Sequence, residues 1–88
     1  MIQEYYVYVL WSIIDKKFYI GYTANLKRRL SQHQDGKNYT TLRMNNPQLI
    51  FYEAFSNEND ALRREGYFKT TKGKKALKLM LRESLKDK

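Results

Sequence analysis

Five side chains in this sequence combine a reactive type with a suggestive position: Tyr8, Tyr19, Arg29, His33 and Glu65. Arg29 and His33 lie four residues apart in a run where Leu26 and Leu30 recur at helical spacing. At about 100° per residue, with Leu26 at the origin, Leu30 falls at about 40°, Arg29 at about 300° and His33 at about 340°. Both polar groups therefore border the apolar stripe, whereas Lys27, Arg28, Ser31 and Gln34 point elsewhere. Two readings fit. Arg29 either snorkels its stem over a core beside a satisfied boundary histidine, or the two polar groups serve a site.

Glu65 poses the same choice more sharply. With Leu62 at the origin of a second wheel, Phe68 falls at about 240°, Ala61 at about 260°, Glu65 at about 300° and Lys69 at about 340°. That places the carboxylate inside the apolar arc, where it is costly unless paired or bound to a cation. An ion pair with Lys69 or Arg29 answers the cost, and so does a functional carboxylate on the floor of a site. The tyrosines depend on a parity. Tyr6, Tyr8 and Leu10 share one face of a strand, and Tyr19 shares a face of the next with Lys17 and Gly21. An even number of loop residues puts Tyr8 and Tyr19 on one face, and an odd number puts them on opposite faces. Either tyrosine could simply fill core with its hydroxyl at the edge. Gly21 weakens a strand unless another group must approach its backbone closely.

The elements that must position these residues are legible as pattern. Residues 5–11 are aromatic and β-branched and predict a strand; residues 18–22 predict a second, and a hairpin joins them. Thr23-Ala24-Asn25 offers capping side chains for a helix that Asp35-Gly36 ends. Residues 37–48 are polar and irregular, with Asn45-Asn46-Pro47 a turn signal. Residues 49–55 predict a third strand. A helix over residues 58–72 follows, broken by Gly73. Leu77, Met80, Leu81, Ser84 and Leu85 then mark one face of a last helix. The order β-β-α-β-α-α predicts an α+β fold, a small three-stranded sheet with helices packed on it.

The chain has 88 residues, enough for one domain over 1–88. A chain of this size buries only about 60–65% of its unfolded surface, so the eight Tyr, four Phe and one Trp matter to the core. The absence of Cys removes disulfides, thiolate nucleophiles and Cys-ligated zinc, and a single His removes His-rich metal clusters. Apolar runs are too short to span a bilayer, and Met1 leads into the first strand without an export signal, so the expected location is cytoplasmic. Lys and Arg number 17 against 9 Asp and Glu, a net charge of +8. Lys27-Arg28 and the acid-free stretch holding Lys69, Lys72, Lys74, Lys75 and Lys78 carry much of the excess. Such runs are often only solvated faces; here they suit a nucleic-acid backbone, with a membrane surface as the competing partner.

At these residues the chain resembles the GIY-YIG nucleases, and within them the small members related to the catalytic domain of the excinuclease C repair subunit. Tyr6-Val7-Tyr8 and Tyr19-Ile20-Gly21 stand for the two signatures, with Tyr8 and Tyr19 eleven residues apart. The stretch from Thr23 to His33 is similar to the family's Arg-Leu-x-x-His segment, and that from Asp60 to Lys69 to its Ala-Leu-x-x-Glu-x-x-x-Lys helix. No single piece is diagnostic; the ordered set of four is specific, and the likeness covers nearly the whole chain. It implies an antiparallel three-stranded sheet and metal-dependent cleavage of DNA, in repair or recombination; RNA stays open as a partner.

The resemblance also gives roles. Glu65 is the metal ligand for one Mg²⁺ or Mn²⁺, Arg29 neutralises the scissile phosphate, and Tyr8 and Tyr19 orient the water, with Tyr8 as base. An ordinary phenol with a pKa of about 10 needs Arg29 or the metal to lower it for that task. His33 assists proton transfer or bonds the phosphate, and Lys69 contacts phosphate or pairs with Glu65. Two departures stand out. Tyr6 replaces the first signature's Gly, and no Asn or Gln follows Asn59, leaving the family's late amide unfilled or replaced by Lys or Ser84. The alternative is a catalytically degenerate nucleic-acid-binding module of the same fold. On either reading, specificity would come from a protein partner, a homodimer or a DNA shape.

Overall fold

Tyr5–Ser12 forms β1, where alternating aromatic and β-branched residues favour extended backbone. Lys17–Thr23 forms β2. The computed structural model describes residues 3–34 and 46–86. Residues 13–16 close the hairpin. The Lys16 N–H donates to the Ser12 carbonyl at 2.8 Å and the Asp15 N–H to Ser12 Oγ at 3.0 Å. Lys16 takes the left-handed conformation that the reversal requires, with φ of 56°. Four loop residues make the parity even. Tyr8 pairs with Gly21 and Leu10 with Tyr19, so Tyr8 and Tyr19 share a face.

Gln48–Phe55 forms β3, antiparallel to the other side of β1, and the sheet order is β2-β1-β3. Tyr8 faces Tyr52 across this second ladder, whose register slips between Val9 and Leu10. Leu26–Gln34 forms α1. Asn25 Oδ1 accepts from the Arg28 N–H at 3.0 Å and Thr23 Oγ1 from the Asn25 N–H at 3.1 Å, the cap that the sequence offered. The expected helix stop at Asp35-Gly36 and the irregular residues 37–45 lie outside the described residues.

Glu58–Phe68 forms α2, Thr71–Met80 α3 and Arg82–Lys86 α4. Ala61 and Phe68 of α2, Leu77 of α3 and Leu81 pack on Val7, Val9 and Ile20 of the sheet as one core. The result is the expected α+β fold with its three-stranded antiparallel sheet. Its last helix bends at Leu81 and continues as α4, leaving Met80, expected on the packed face, exposed.

Two details correct the sequence reading of this half. The helix predicted over 58–72 ends at Phe68, because Thr70 intervenes. Thr70 Oγ1 donates to the Tyr67 carbonyl at 2.6 Å and accepts from the Gly73 N–H at 3.0 Å, which ends one helix and caps the next. Gly73 therefore breaks nothing. It lies buried in the first turn of α3, where a Cβ would fall 2.7 Å from the Phe68 Cα. The second correction concerns phase. Leu62 is 42% exposed while Ala61 and Phe68 are fully buried, so the buried arc of α2 centres on those two and Glu65 lies at its border.

Candidate active site

Strand pleating sends Tyr8 off the face of the sheet opposite to Val7 and Val9, and α1 lies against that face. Tyr8 is 1% exposed. Its ring extends across Gly21, where a Cβ would overlap the phenol. This is the close approach that the glycine's position in the strand suggested. Beyond Gly21 the hydroxyl meets His33 of α1: Tyr8 Oη and His33 Nε2 are 3.0 Å apart, a buried hydrogen bond whose direction follows the imidazole tautomer. Tyr19 closes the group, its ring centroid 6.2 Å from that of Tyr8 and 5.5 Å from that of His33. Three rings from β1, β2 and α1 thus form one cluster over the β2 side of the sheet.

His33 is 5% exposed. It is the buried point of α1 rather than a boundary residue, while Leu26, Arg29 and Leu30 around it are half-buried. Burial lowers its pKa below the ordinary histidine value, and the Arg29 guanidinium lowers it further. Tyr8 moves the other way. Burial pushes its phenol well above the usual tyrosine range, with Tyr19 and the Glu65 carboxylate adding to the rise and Arg29 opposing it. Of the two groups that could lower it, Arg29 or the metal, Arg29 acts in that direction but desolvation outweighs it. At neutral pH both partners of the 3.0 Å bond are therefore uncharged.

Tyr8, Tyr19 and His33 are in mutual contact, and the charges of Arg29 and Glu65 both act on Tyr8. The Glu65 side chain is 21% exposed and its carboxylate accepts from Lys69 Nζ at 3.1 Å, one of the pairings that the helical wheel left open. Among the described residues no group of three or more His, Asp or Glu is arranged to hold a metal ion. Glu65 alone fits a hard divalent cation that keeps most of its water, since one carboxylate with substrate oxygens suffices for Mg²⁺. Lys69 is exposed and can swing aside. Lys27, Arg28, Lys72, Lys74, Lys75 and Lys78 are all exposed.

Sequence reasoning missed two polar contacts on the other face. Arg64 makes a bidentate pair with Glu53 (2.9 and 3.3 Å) and lies 4.3 Å above the Phe68 ring centroid. The signal was present: Glu53 alternates with Phe51 and Phe55 and so projects from the apolar side of β3. Tyr22 Oη donates to Glu58 at 2.6 Å, which pushes its own pKa up to about 12 and ties β2 to the start of α2. A cavity of about 480 Å³ lined by Phe55, Asp60, Arg63, Arg64 and Tyr67 shares no residue with the tyrosine–histidine cluster.

The frame of the site is an antiparallel sheet of order β2-β1-β3 with a tyrosine laid over a strand glycine. Residues 4–78 match the GIY-YIG catalytic domain, and the chain belongs to the GIY-YIG family. Its relatives include small proteins called UPF0213. One from Pediococcus acidilactici is 42% identical over 79 residues, 86% of this chain and 80% of that protein. One from Limosilactobacillus reuteri is 44% identical over 70 residues, 76% of this chain and 72% of that protein. The solution NMR structure of a UPF0213 protein from Bacillus halodurans matches with a TM-score of 0.56 at 31% identity, over 88% of this chain and 84% of that one. Among the described residues no helix is long and apolar enough to cross a membrane.

Proposed function

We propose that the chain is an endonuclease that hydrolyses phosphodiester bonds in DNA with the help of Mg²⁺ or Mn²⁺. The observation that carries this reading is the buried Tyr8–His33 hydrogen bond at 3.0 Å, formed across Gly21 beside the Arg29 and Glu65 charges. An ordinary core tyrosine needs neither a neutral histidine nor a glycine cleared for its ring.

Water attacks phosphorus in line, and the bond to the leaving oxygen breaks. The neutral Tyr8 phenol accepts the water's proton only as it passes its own to His33 Nε2, so the pair acts as a relay. The depressed pKa of His33 keeps the imidazole unprotonated and able to receive at neutral pH. Tyr19, in ring contact with both partners, orients the water. Arg29 meets the charge that builds on the non-bridging oxygens. Glu65 would hold the divalent ion, which supplies Lewis-acid stabilisation of the phosphate when bound. The exposed lysines of α1 and α3, with Arg28, hold the backbone on either side.

A second reading, a binding module that does not cut, draws on the Glu65–Lys69 pair and on the lack of Asn or Gln after Asn59. Cleavage of branched, nicked and single-stranded DNA with Mg²⁺ or Mn²⁺ separates the two. Cutting that falls on the order of 100-fold or more in Glu65→Ala and Arg29→Ala supports the nuclease. Salt-sensitive binding with no mutation-sensitive cutting supports the module.

A further inference from the structure

Tyr6 and Tyr52 play no part in the relay, yet they stand on the same face of the sheet as Tyr8. Tyr52 is the direct partner of Tyr8 across the β1–β3 ladder, and Tyr6 is two residues before Tyr8 on β1. The rings diverge. Tyr8 turns over Gly21 toward β2, while Tyr52 meets Tyr6 at a centroid distance of 6.2 Å and an interplanar angle of 60°. Tyr6 Oη donates to Glu4 Oε2 at 2.9 Å, which fixes the edge of its ring. Tyr52 is 52% exposed, an aromatic surface left open beside a buried cluster.

We propose that Tyr52, braced by the tilted ring of Tyr6, is a stacking platform for an unpaired nucleobase of the strand whose phosphate lies at the candidate site. The position of the platform rests on the nuclease reading, but its binding does not need cutting. Three observations favour a nucleic-acid occupant. The chain carries a net charge of +8. The helix that covers the Tyr8 side of the same face presents Lys27 and Arg28 to solvent, ready to follow a phosphate backbone. The platform is continuous with Tyr8, so a base stacked there lies within a nucleotide or two of the candidate site. An open aromatic face also selects among nucleic acids. A base within a duplex has both faces covered by its neighbours, whereas an unpaired base can offer one to a tyrosine. Tyr loses little side-chain freedom on stacking, which suits it to this use.

Fluorescence anisotropy tests this with labelled single-stranded oligonucleotides of about 12 nucleotides and blunt duplexes of the same sequence, in EDTA so that neither is cut. Tyr52→Ala is expected to weaken single-strand binding roughly 5- to 100-fold, with Tyr6→Ala in the same direction. Tyr52→Phe keeps the ring and the affinity, and duplex binding stays unchanged. Single strands carrying 5-bromouracil should photocrosslink to the peptide containing Tyr52 or that containing Tyr6. Circular dichroism confirms that each variant is folded; if Tyr6→Ala is not, Tyr52→Ala, altered at an exposed position, carries the test. Equal losses on single strands and duplex, or no loss on either, would overturn the platform. So would a dimer by light scattering that Tyr52→Ala dissolves without affecting oligonucleotide binding, which makes this face a contact between copies. A Tyr52-dependent single-strand preference in a protein that cuts nothing would sink the nuclease reading and leave the platform standing.

Discussion

Gly21→Ala should disable the site without touching any reactive group. The added Cβ would overlap the Tyr8 phenol and lie 2.8 Å from Cε1. Cζ lies nearer still, so restoring an ordinary carbon–carbon contact of about 3.5 Å requires the ring to retreat by about 1 Å. It has nowhere to go: Tyr8 is 1% exposed, with Tyr19 and His33 packed against it. Overpacking of this kind costs about 1–3 kcal/mol, and stretching the 3.0 Å bond to His33 removes about 1 kcal/mol more. Relief of a glycine in a strand returns roughly 0.5–1 kcal/mol. The net loss of about 1–3 kcal/mol should lower Tm by roughly 5–20 °C in a domain of this size. A displacement near 1 Å should also cut cleavage on the order of 100-fold. The check is a double-mutant cycle with Tyr8→Leu, followed by thermal unfolding. Because the clash needs both residues, the two losses should be strongly sub-additive. A Gly21→Ala protein as stable as the parent, or additive losses, would refute the argument that this glycine exists to admit the Tyr8 ring.

Gly73→Ala should be worse, by about 3 kcal/mol or more, since its Cβ meets backbone at the α2–α3 joint rather than a side chain. Gly66→Ala meets nothing within 4 Å and should stabilise α2 by about 0.5–1 kcal/mol, so chemical denaturation should rank the two substitutions in opposite directions. Glu53→Ala leaves a partly buried Arg64 without its bidentate partner and should cost about 1 kcal/mol, less in high salt, as measured by urea unfolding. The pKa of His33 is lower in the folded than in the unfolded state. The unfolded chain therefore binds the extra proton first, and stability present above about pH 6.5 is lost as pH falls toward the folded value. His33→Gln should flatten that acid limb in a Tm-against-pH series. Tyr8 has the opposite sign: its raised pKa contributes stability below pH ~10 that is lost as pH rises further.

The sequence by itself determined the elements and the ordered set of residues that marks the family. Alternation in β1, the capping residues before α1 and the 3.6-residue spacing of its apolar stripe are local properties, and local properties can be read along a chain. Phase, parity and joints are not local. Whether Tyr8 and Tyr19 meet depended on a four-residue turn that puts Lys16 in the left-handed region. Which side of α2 faces inward depended on the sheet selecting Ala61 and Phe68, although Leu62 is the stronger apolar residue by type. The helix break fell at Thr70 rather than Gly73 because a hydroxyl satisfied both helix ends while the glycine let them touch. The ionisation of the site was the last thing hidden. An arginine near a tyrosine argues for a lowered pKa, and only tertiary packing shows that the phenol is buried deeply enough for desolvation to prevail.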